Sequence, residues 1–214
     1  MTTYVLIPGA CHGGWYYDPI SERLRAEGHE VHAVTLSTGR VNLEDHAAEV
    51  LDLFERLDLR DVVLAGHSYG GMVITTVADR VPDRIRSLVY VDAFVPRDGE
   101  SAYDIVHGDW RTWYVEGSSG DGFSMAPLPF FDERATPHPL PTLLQRALLT
   151  GAVDKVPDRR YMFLAGMADT PLAGTYERLR HDPAWHVTEL PVGHNVVAEA
   201  PEELLATLKA AGQS

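Results

Sequence analysis

One serine in the sequence is flanked by glycines in a pattern typical of an activated nucleophile. Gly66-His67-Ser68-Tyr69-Gly70 comes directly after a strand pattern and directly before a helix pattern. A strand that turns sharply into a helix holds the serine in a strained conformation, and flanking glycines keep side chains away from the adjoining backbone. The hydroxyl then lies beside the free N–H groups at the helix start, which favour negative charge. We predict that Ser68 attacks a carbonyl carbon; the alternative is a structural Gly-Ser turn.

A serine hydroxyl needs a general base, and a histidine oriented by an acid is the usual one. Where the nucleophile follows a strand in this way, the chain order is serine, acid, histidine, which leaves His181, His186 and His194 among ten histidines. His186 falls within a strand pattern and His181 at a helix end. His194 lies in the loop PVGHN between the last strand and the last helix, so we predict that it is the base. The alternative is a capping or exposed histidine.

The acid is predicted at the end of a strand, where two aspartates compete. Asp169 follows the strand pattern YMFLAG and is the preferred candidate. Asp92 follows the earlier strand pattern LVYV, and a carboxylate one strand closer to the nucleophile also has a route to the histidine. Asp169 has a structural alternative as well, because Asp-Thr-Pro is a typical beginning of a helix. The sequence alone does not separate these uses.

Acyl transfer also needs donors directed at the developing oxyanion. One predicted donor is the N–H of Tyr69, the residue after the nucleophile. The other is expected in the loop PGACHGGW after the first strand, where glycines allow close backbone approach, and we assign it to Ala10. Cys11 and His12 follow in the same loop and are candidate substrate contacts. Cys11 is interpreted as a small packed residue rather than a second nucleophile, and a structural role for His12 is favoured.

The elements that position these residues alternate between β-branched runs and helical periods. This alternation predicts βαβ units and a doubly wound, mostly parallel six-stranded α/β sheet covered by helices on both faces. The predicted strands are 3–8, 30–35, 61–66, 85–91, 160–165 and 185–190, and the predicted helices are 14–27, 43–58, 69–80, 172–181 and 199–211.

A long stretch rich in proline, glycine and aromatic residues interrupts this alternation. Residues 93–158 are too many for a plain connection, and a helix at 142–149 fits inside them. We predict a core of 1–92 and 159–214 with residues 93–158 inserted as a small helical cap over the active site; the alternative is a loose loop. The aromatic residues of the cap would form an apolar substrate pocket. The candidates are Trp110, Trp113, Phe130 and Phe131.

Together these motifs resemble those of a known family. The loop PGACHGGW and the turn AGHSYGG, with Asp169 and His194 downstream, resemble the α/β-hydrolases related to plant methyl-ester esterases and hydroxynitrile lyases. The resemblance covers nearly the whole chain and implies a cofactor-free enzyme with a Ser68, His194 and Asp169 triad. Lyase members carry a lysine directly after the catalytic histidine. This chain has Asn195 there, which favours an esterase.

Composition narrows the remaining choices. The net charge of −13 disfavours binding to nucleic acid, and a single cysteine requires no oxidising compartment. The N-terminal apolar run is too short for a signal core or a membrane span, so we expect a cytoplasmic protein without a membrane partner. No metal-ligand spacing occurs among the histidines. The oligomeric state leaves no mark in the sequence.

We therefore expect a serine hydrolase of a small or medium apolar ester, lactone or thioester, acting on a small-molecule substrate through an acyl-enzyme. Two alternatives stay open. One is a biosynthetic tailoring enzyme that uses the same serine for acyl transfer, cyclisation or thioester cleavage. The other is a ligand-sensing protein with little turnover, since a fold does not determine a function.

Overall fold

A six-stranded parallel sheet forms the centre of the molecule in the computed structural model, which describes residues 1–118 and 120–214. Every neighbouring pair of strands in this sheet is parallel. This confirms the predicted fold class, with all six predicted strands present. The strands are β1 Thr3–Ile7, β2 Glu30–Ala33, β3 Val62–His67, β4 Ile85–Val91, β5 Ser124–Met125, β6 His138–Pro139, β7 Asp158–Leu164 and β8 His186–Leu190. The spatial order in the central sheet is β2-β1-β3-β4-β7-β8, and β5 and β6 form a separate antiparallel pair.

Helices pack on both faces of the sheet. Two buried clusters result: one contains Val5 and Leu64 with residues of the helices at 43–56 and 70–80, and the other contains Leu6 with residues of the helices at 18–26 and 201–211. Alternate residues of one strand therefore point to opposite layers, as the period of a strand requires. The helices are α1 Asp18–Ala26, α2 Leu43–Arg56, α3 Gly70–Arg80, α4 Ala102–Ile105, α5 Asp109–Glu116, α6 Leu140–Leu144, α7 Ala173–Leu179, α8 Val196–Glu199 and α9 Pro201–Ala211.

Helix α2 shows how local sequence fixes an element. Asn42 and Asp45 form a capping box, in which each side chain accepts a hydrogen bond from the backbone N–H of the other residue. Leu43, Ala47, Val50 and Phe54 are fully buried along one face, as the helical period predicts. In the described residues, no helix is long and apolar enough to cross a membrane.

Segment 93–158 contains α4, α5, β5, β6 and α6 between two central strands. The predicted helix at 142–149 is wrong in its extent, because α6 ends at Leu144. Gln145 has an extended backbone. The N–H of Ala147 donates to the carbonyl of Glu100 at 2.9 Å, and the N–H of Gly99 donates to the carbonyl of Ala147 at 2.8 Å. Tertiary hydrogen bonds thus replace further helical turns.

Candidate active site

Ser68 lies in a tight turn between β3 and α3 and has a left-handed backbone, with φ of 51°. Such a conformation is strained for a residue with a Cβ. Its own carbonyl accepts hydrogen bonds from the N–H groups of Gly71 and Phe94, each at 3.1 Å. The surrounding backbone thus holds the strained turn in place.

Glycines surround the turn because backbone passes close on each side. A Cβ on Gly66 would lie 2.7 Å from the carbonyl carbon of Gly70, and one on Gly70 would lie 2.5 Å from the carbonyl oxygen of Ile7. Real Cβ contacts do not come this close to backbone. The glycines therefore allow β1, β3 and α3 to meet around Ser68.

The Gly71→Ala substitution is expected to destabilise the protein by about 1–3 kcal/mol through overpacking. The new methyl group would overlap the carbonyl oxygen of Phe94, which is backbone and cannot rotate away. Gly174→Ala on α7 is the matched control, because a Cβ there meets nothing within 4 Å; it should raise stability by up to about 1 kcal/mol. Urea unfolding measures both variants, and equal midpoints would contradict the packing argument.

The imidazole of His194 is paired with a buried carboxylate. Its Nδ1 lies 2.6 Å from Oδ2 of Asp92, which is 1% exposed. The other carboxylate oxygen, Oδ1, accepts the N–H of Leu164 at 3.2 Å. Because a carboxylate in this pairing accepts, Nδ1 carries the proton and Nε2 is left with a lone pair. His194 thus has the tautomer that a general base requires.

The predicted pairing of His194 with Asp169 is wrong, since the partner is Asp92. Asp169 is exposed, and its carbonyl oxygen accepts the indole N–H of Trp110 at 3.1 Å. Asp92 is brought into place by its own left-handed backbone, with φ of 41°, directly after β4. The rival considered from the sequence is therefore the residue that orients the histidine.

His67 links the serine turn to the histidine loop. Its Nε2 donates to the carbonyl oxygen of His194 at 2.9 Å, and the two imidazole rings lie 4.4 Å apart. Burial holds the pKa of His67 well below its usual range, so the ring is neutral. Ser68 and His194 line the same cavity. The structure thus brings together the predicted nucleophile and the predicted base, although they are far apart in sequence.

The two predicted oxyanion donors also reach this region. Ala10 and Tyr69 both line the cavity that contains Ser68. In residues 1–118 and 120–214, no backbone acceptor takes up either N–H outside regular helices and strands. Cys11 directly after Ala10 is left-handed, with φ of 68°, and gives the loop its bend. Both residues therefore lie at the cavity, and their role as oxyanion donors stays a prediction.

A buried histidine holds the ring of Tyr69. Nε2 of His46, on α2, is 2.8 Å from the carbonyl oxygen of Ser37, and its Nδ1 is 2.9 Å from the hydroxyl oxygen of Tyr69. The carbonyl can only accept, so Nε2–H donates to it and the tyrosine hydroxyl donates to Nδ1. Sequence reasoning missed His46, because its position on a helical apolar stripe gave no sign of a polar partner.

A second buried histidine, on β6, holds the other loop. The Thr142 hydroxyl donates to the carbonyl of Pro139 at 2.7 Å and therefore accepts from Nε2–H of His138 at 2.8 Å. This leaves Nδ1 of His138 to accept the N–H of Cys11 at 3.4 Å, while the N–H of Thr136 donates to the Cys11 carbonyl at 2.9 Å. Segment 93–158 thus supports the loop after β1.

His138 is expected to make the protein less stable in mild acid. Burial lowers the pKa of His138 to about 3 in the folded protein, whereas a histidine in the unfolded chain has a pKa of about 6.5. Between these two values only the unfolded state takes up the proton. The free energy of unfolding should fall as pH drops from about 6 to 4.5, and His138→Gln should reduce that slope by about 1.4 kcal/mol per pH unit. Urea unfolding at several pH values measures the slopes. Identical slopes for both proteins would contradict a neutral buried His138.

The cavity around Ser68 has a volume of about 500 Å³, and its lining is rich in aromatic residues. His12, Trp110, Trp113, Phe130 and Phe131 line it, as the sequence predicts for substrate contacts. Its further aromatic lining consists of Trp15, Tyr16, His67, Tyr69, Phe94, Tyr114 and His194.

Cys11 is not among the residues that line this cavity, so its predicted place there is wrong. Its side chain is 3% exposed, and burial raises the pKa of the thiol to about 12. Cys11 borders a separate small cavity of about 80 Å³ behind the loop. Cys11 instead packs in the buried cluster that contains Val5 and Leu64.

Comparison with known proteins places the chain among related sequences. Residues 4–207 match the alpha/beta hydrolase family. The carbendazim hydrolyzing esterase of Nocardioides sp. (strain SG-4G) is 35% identical, with 99% of this chain and 100% of that protein covered. Methylesterase 7 of Arabidopsis thaliana is 35% identical over 104 residues, which cover 44% of this chain and 40% of that protein.

A solved structure agrees with these sequence relatives. An extracellular α/β-hydrolase from a Paenibacillus species has a TM-score of 0.85 and 25% identity to this chain, with 100% of both chains covered. It is described as sharing structural and functional homology with tobacco salicylic acid-binding protein 2. The resemblance to plant methylesterase-like proteins is confirmed by these matches.

Proposed function

The chain belongs to the α/β-hydrolase family and is a hydrolase acting on esters, and we propose that it cleaves small or medium apolar carboxylic esters through a Ser68, His194 and Asp92 triad. The observation that carries this proposal is the 2.6 Å contact between Nδ1 of His194 and buried Asp92, at a cavity that Ser68 also lines. That contact orients the imidazole of His194, which lines the same cavity as Ser68. No metal or cofactor is needed for this chemistry.

The proposed reaction proceeds through an acyl-enzyme. Nε2 of His194 removes the hydroxyl proton of Ser68 as Oγ attacks the ester carbonyl carbon. The N–H groups of Ala10 and Tyr69 donate to the developing oxyanion, each contributing on the order of 3 kcal/mol. His194 then gives the proton to the departing alcohol, and water, activated by the same imidazole, releases the acid.

The character of the cavity supports apolar substrates. Its walls are rich in aromatic side chains, which favours flat or bulky apolar groups on either side of the ester. Its charged lining includes Asp132 and Arg134, which pair with each other at 2.9 Å, and this pairing leaves less charge available to a substrate. We propose that segment 93–158 serves as the cap that supplies this apolar wall.

Hydrolysis of simple esters tests the proposal. Purified protein is expected to release acid and alcohol from para-nitrophenyl butyrate and from methyl benzoate, with chromatography of both products as the readout. Lactones and thioesters of similar size are assayed in the same way to find which leaving groups the enzyme accepts. Absence of turnover of every ester, lactone and thioester by folded protein would contradict the proposed function.

A further inference from the structure

The imidazole of His12 is held rigidly at the wall of the catalytic cavity. Its ring centroid lies 5.2 Å from that of Trp15, 5.3 Å from that of Tyr16 and 4.9 Å from that of Phe131. His12 lines the same cavity as Ser68. Three aromatic neighbours thus pack around this polar ring at the cavity wall.

The hydrogen bonding of His12 determines which of its nitrogens carries a proton. Nδ1 lies 2.8 Å from the carbonyl oxygen of Ala10, which can only accept, so Nδ1 donates. Burial lowers the pKa of His12, and the ring is therefore neutral near pH 7. A neutral imidazole with a proton on Nδ1 has a lone pair on Nε2. This nitrogen is an acceptor and cannot donate.

Nothing in the described part of the chain occupies that acceptor. The hydrogen bonds of residues 1–118 and 120–214 include none at Nε2 of His12. Nearby Arg134 uses Nε and one terminal nitrogen on Asp132 and stacks its guanidinium 4.2 Å from the ring centre of Trp15. A substrate without a donor would cover this nitrogen and leave it unpaired, which disfavours binding.

We propose that Nε2 of His12 accepts a hydrogen bond from an N–H or O–H group of the substrate, so that the enzyme prefers donor-bearing aromatic esters to isosteric esters without a donor. The proposal rests on the proposed function, because it concerns the substrate of the same cavity. It assigns His12 a role in specificity rather than in the chemical step. The bond to the Ala10 carbonyl places this acceptor in the loop that carries a predicted oxyanion donor.

Matched ester pairs test the preference. Methyl 3-hydroxybenzoate is compared with methyl 3-methylbenzoate, and methyl 4-hydroxybenzoate with methyl 4-methylbenzoate, because hydroxyl and methyl groups are similar in size. Ortho-substituted esters are avoided, since an ortho hydroxyl bonds internally to the ester carbonyl. In at least one pair, kcat/KM of the hydroxy ester should be about threefold to tenfold higher, the gain expected for one net hydrogen bond.

Two variants isolate the acceptor. His12→Phe keeps an aromatic ring but has no nitrogen, whereas His12→Asn keeps an N–H for the Ala10 carbonyl and has nothing at the place of Nε2. In both variants, kcat/KM of the hydroxy ester divided by that of the methyl ester should lie within about twofold of unity. Near-UV circular dichroism shows whether each variant folds, and if one does not, the other variant decides. A ratio near unity in the wild type, or a preference that survives in a folded variant, would overturn the proposal.

A binding measurement separates this proposal from the proposed function. The 3- and 4-hydroxyacetophenones and their methyl counterparts resemble the esters but cannot be hydrolysed. Calorimetry with the wild type and the variants should show the same His12-dependent preference in binding. If that preference is seen but no ester is turned over, only the proposed function is overturned. Ester turnover without any His12-dependent preference in kcat/KM or in binding would overturn only the role of His12.

Discussion

The Ser68→Ala variant is expected to hydrolyse para-nitrophenyl butyrate on the order of 10⁴ to 10⁶ times more slowly than the wild type, judged by kcat. The substitution removes the oxygen atom that forms the acyl-enzyme in the proposed mechanism. Cys11 cannot replace it, because its thiol is buried and its pKa is raised to about 12.

Ser37→Ala serves as the control for this variant, since the Ser37 side chain is exposed and only its backbone carbonyl is used by His46. Its kcat should stay within about twofold of the wild type. The affinity of the Ser68→Ala variant for a product acid should be retained. Substantial residual turnover in Ser68→Ala, free of contaminating esterase, would show that another residue attacks the ester.

The second large effect is expected at the acid. Asp92→Asn should lower kcat about 10⁴-fold, because an amide in place of the carboxylate no longer holds the Nδ1–H tautomer of His194 or stabilises the imidazolium that forms during attack. The contact of 2.6 Å and the burial of Asp92 make this loss large. The measurement is steady-state hydrolysis across a range of pH.

Asp169→Asn is the matched control, and its kcat should stay within about threefold of the wild type. Asp169 is exposed and contacts Trp110 through its backbone, which the substitution leaves in place. The reverse ranking, with Asp169→Asn inactive and Asp92→Asn active, would mean that the working enzyme pairs His194 differently from this structure.

Much of the sheet follows from short-range patterns in the sequence. Every residue of Val62–His67 is buried, because a parallel sheet is covered on both faces. Such continuous apolar runs could be recognised in the sequence, and the bounds of the six strands in the central sheet could be predicted to within about two residues. The position of the serine turn could be predicted for the same reason, because glycine spacing is a local property. Segment 93–158 was harder, since hydrogen bonds between Gly99, Glu100 and Ala147 depend on long-range contact.

The choice between the two aspartates depended on geometry that the sequence does not contain. Both follow strands at the carboxyl edge of the sheet, and β4 lies between β3 and β7 in the spatial order. Val91 pairs with Met162, which brings Asp92 beside the end of β7, where the N–H of Leu164 donates to it. The left-handed backbone of Asp92 then aims the carboxylate at His194. Strand order and backbone conformation at one residue decided this.

Buried polar side chains were also beyond local reasoning. His46, His67 and His138 are neutral because burial lowers the pKa of each, and each contacts a residue of the catalytic loops. In the sequence, His46 lies on the apolar stripe of α2, His67 in the serine motif and His138 in the inserted segment. Only their tertiary partners show that they hold the site together.

Direct detection of the acyl-enzyme tests the central claim. Protein mixed with para-nitrophenyl butyrate and quenched in acid within the first turnovers is digested and analysed by mass spectrometry. We expect a butyryl group on the peptide that contains Ser68, absent in Ser68→Ala and longer-lived in Asp92→Asn. A butyryl group on another residue that forms and decays at the rate of turnover, with Ser68 unmodified, would contradict the mechanism.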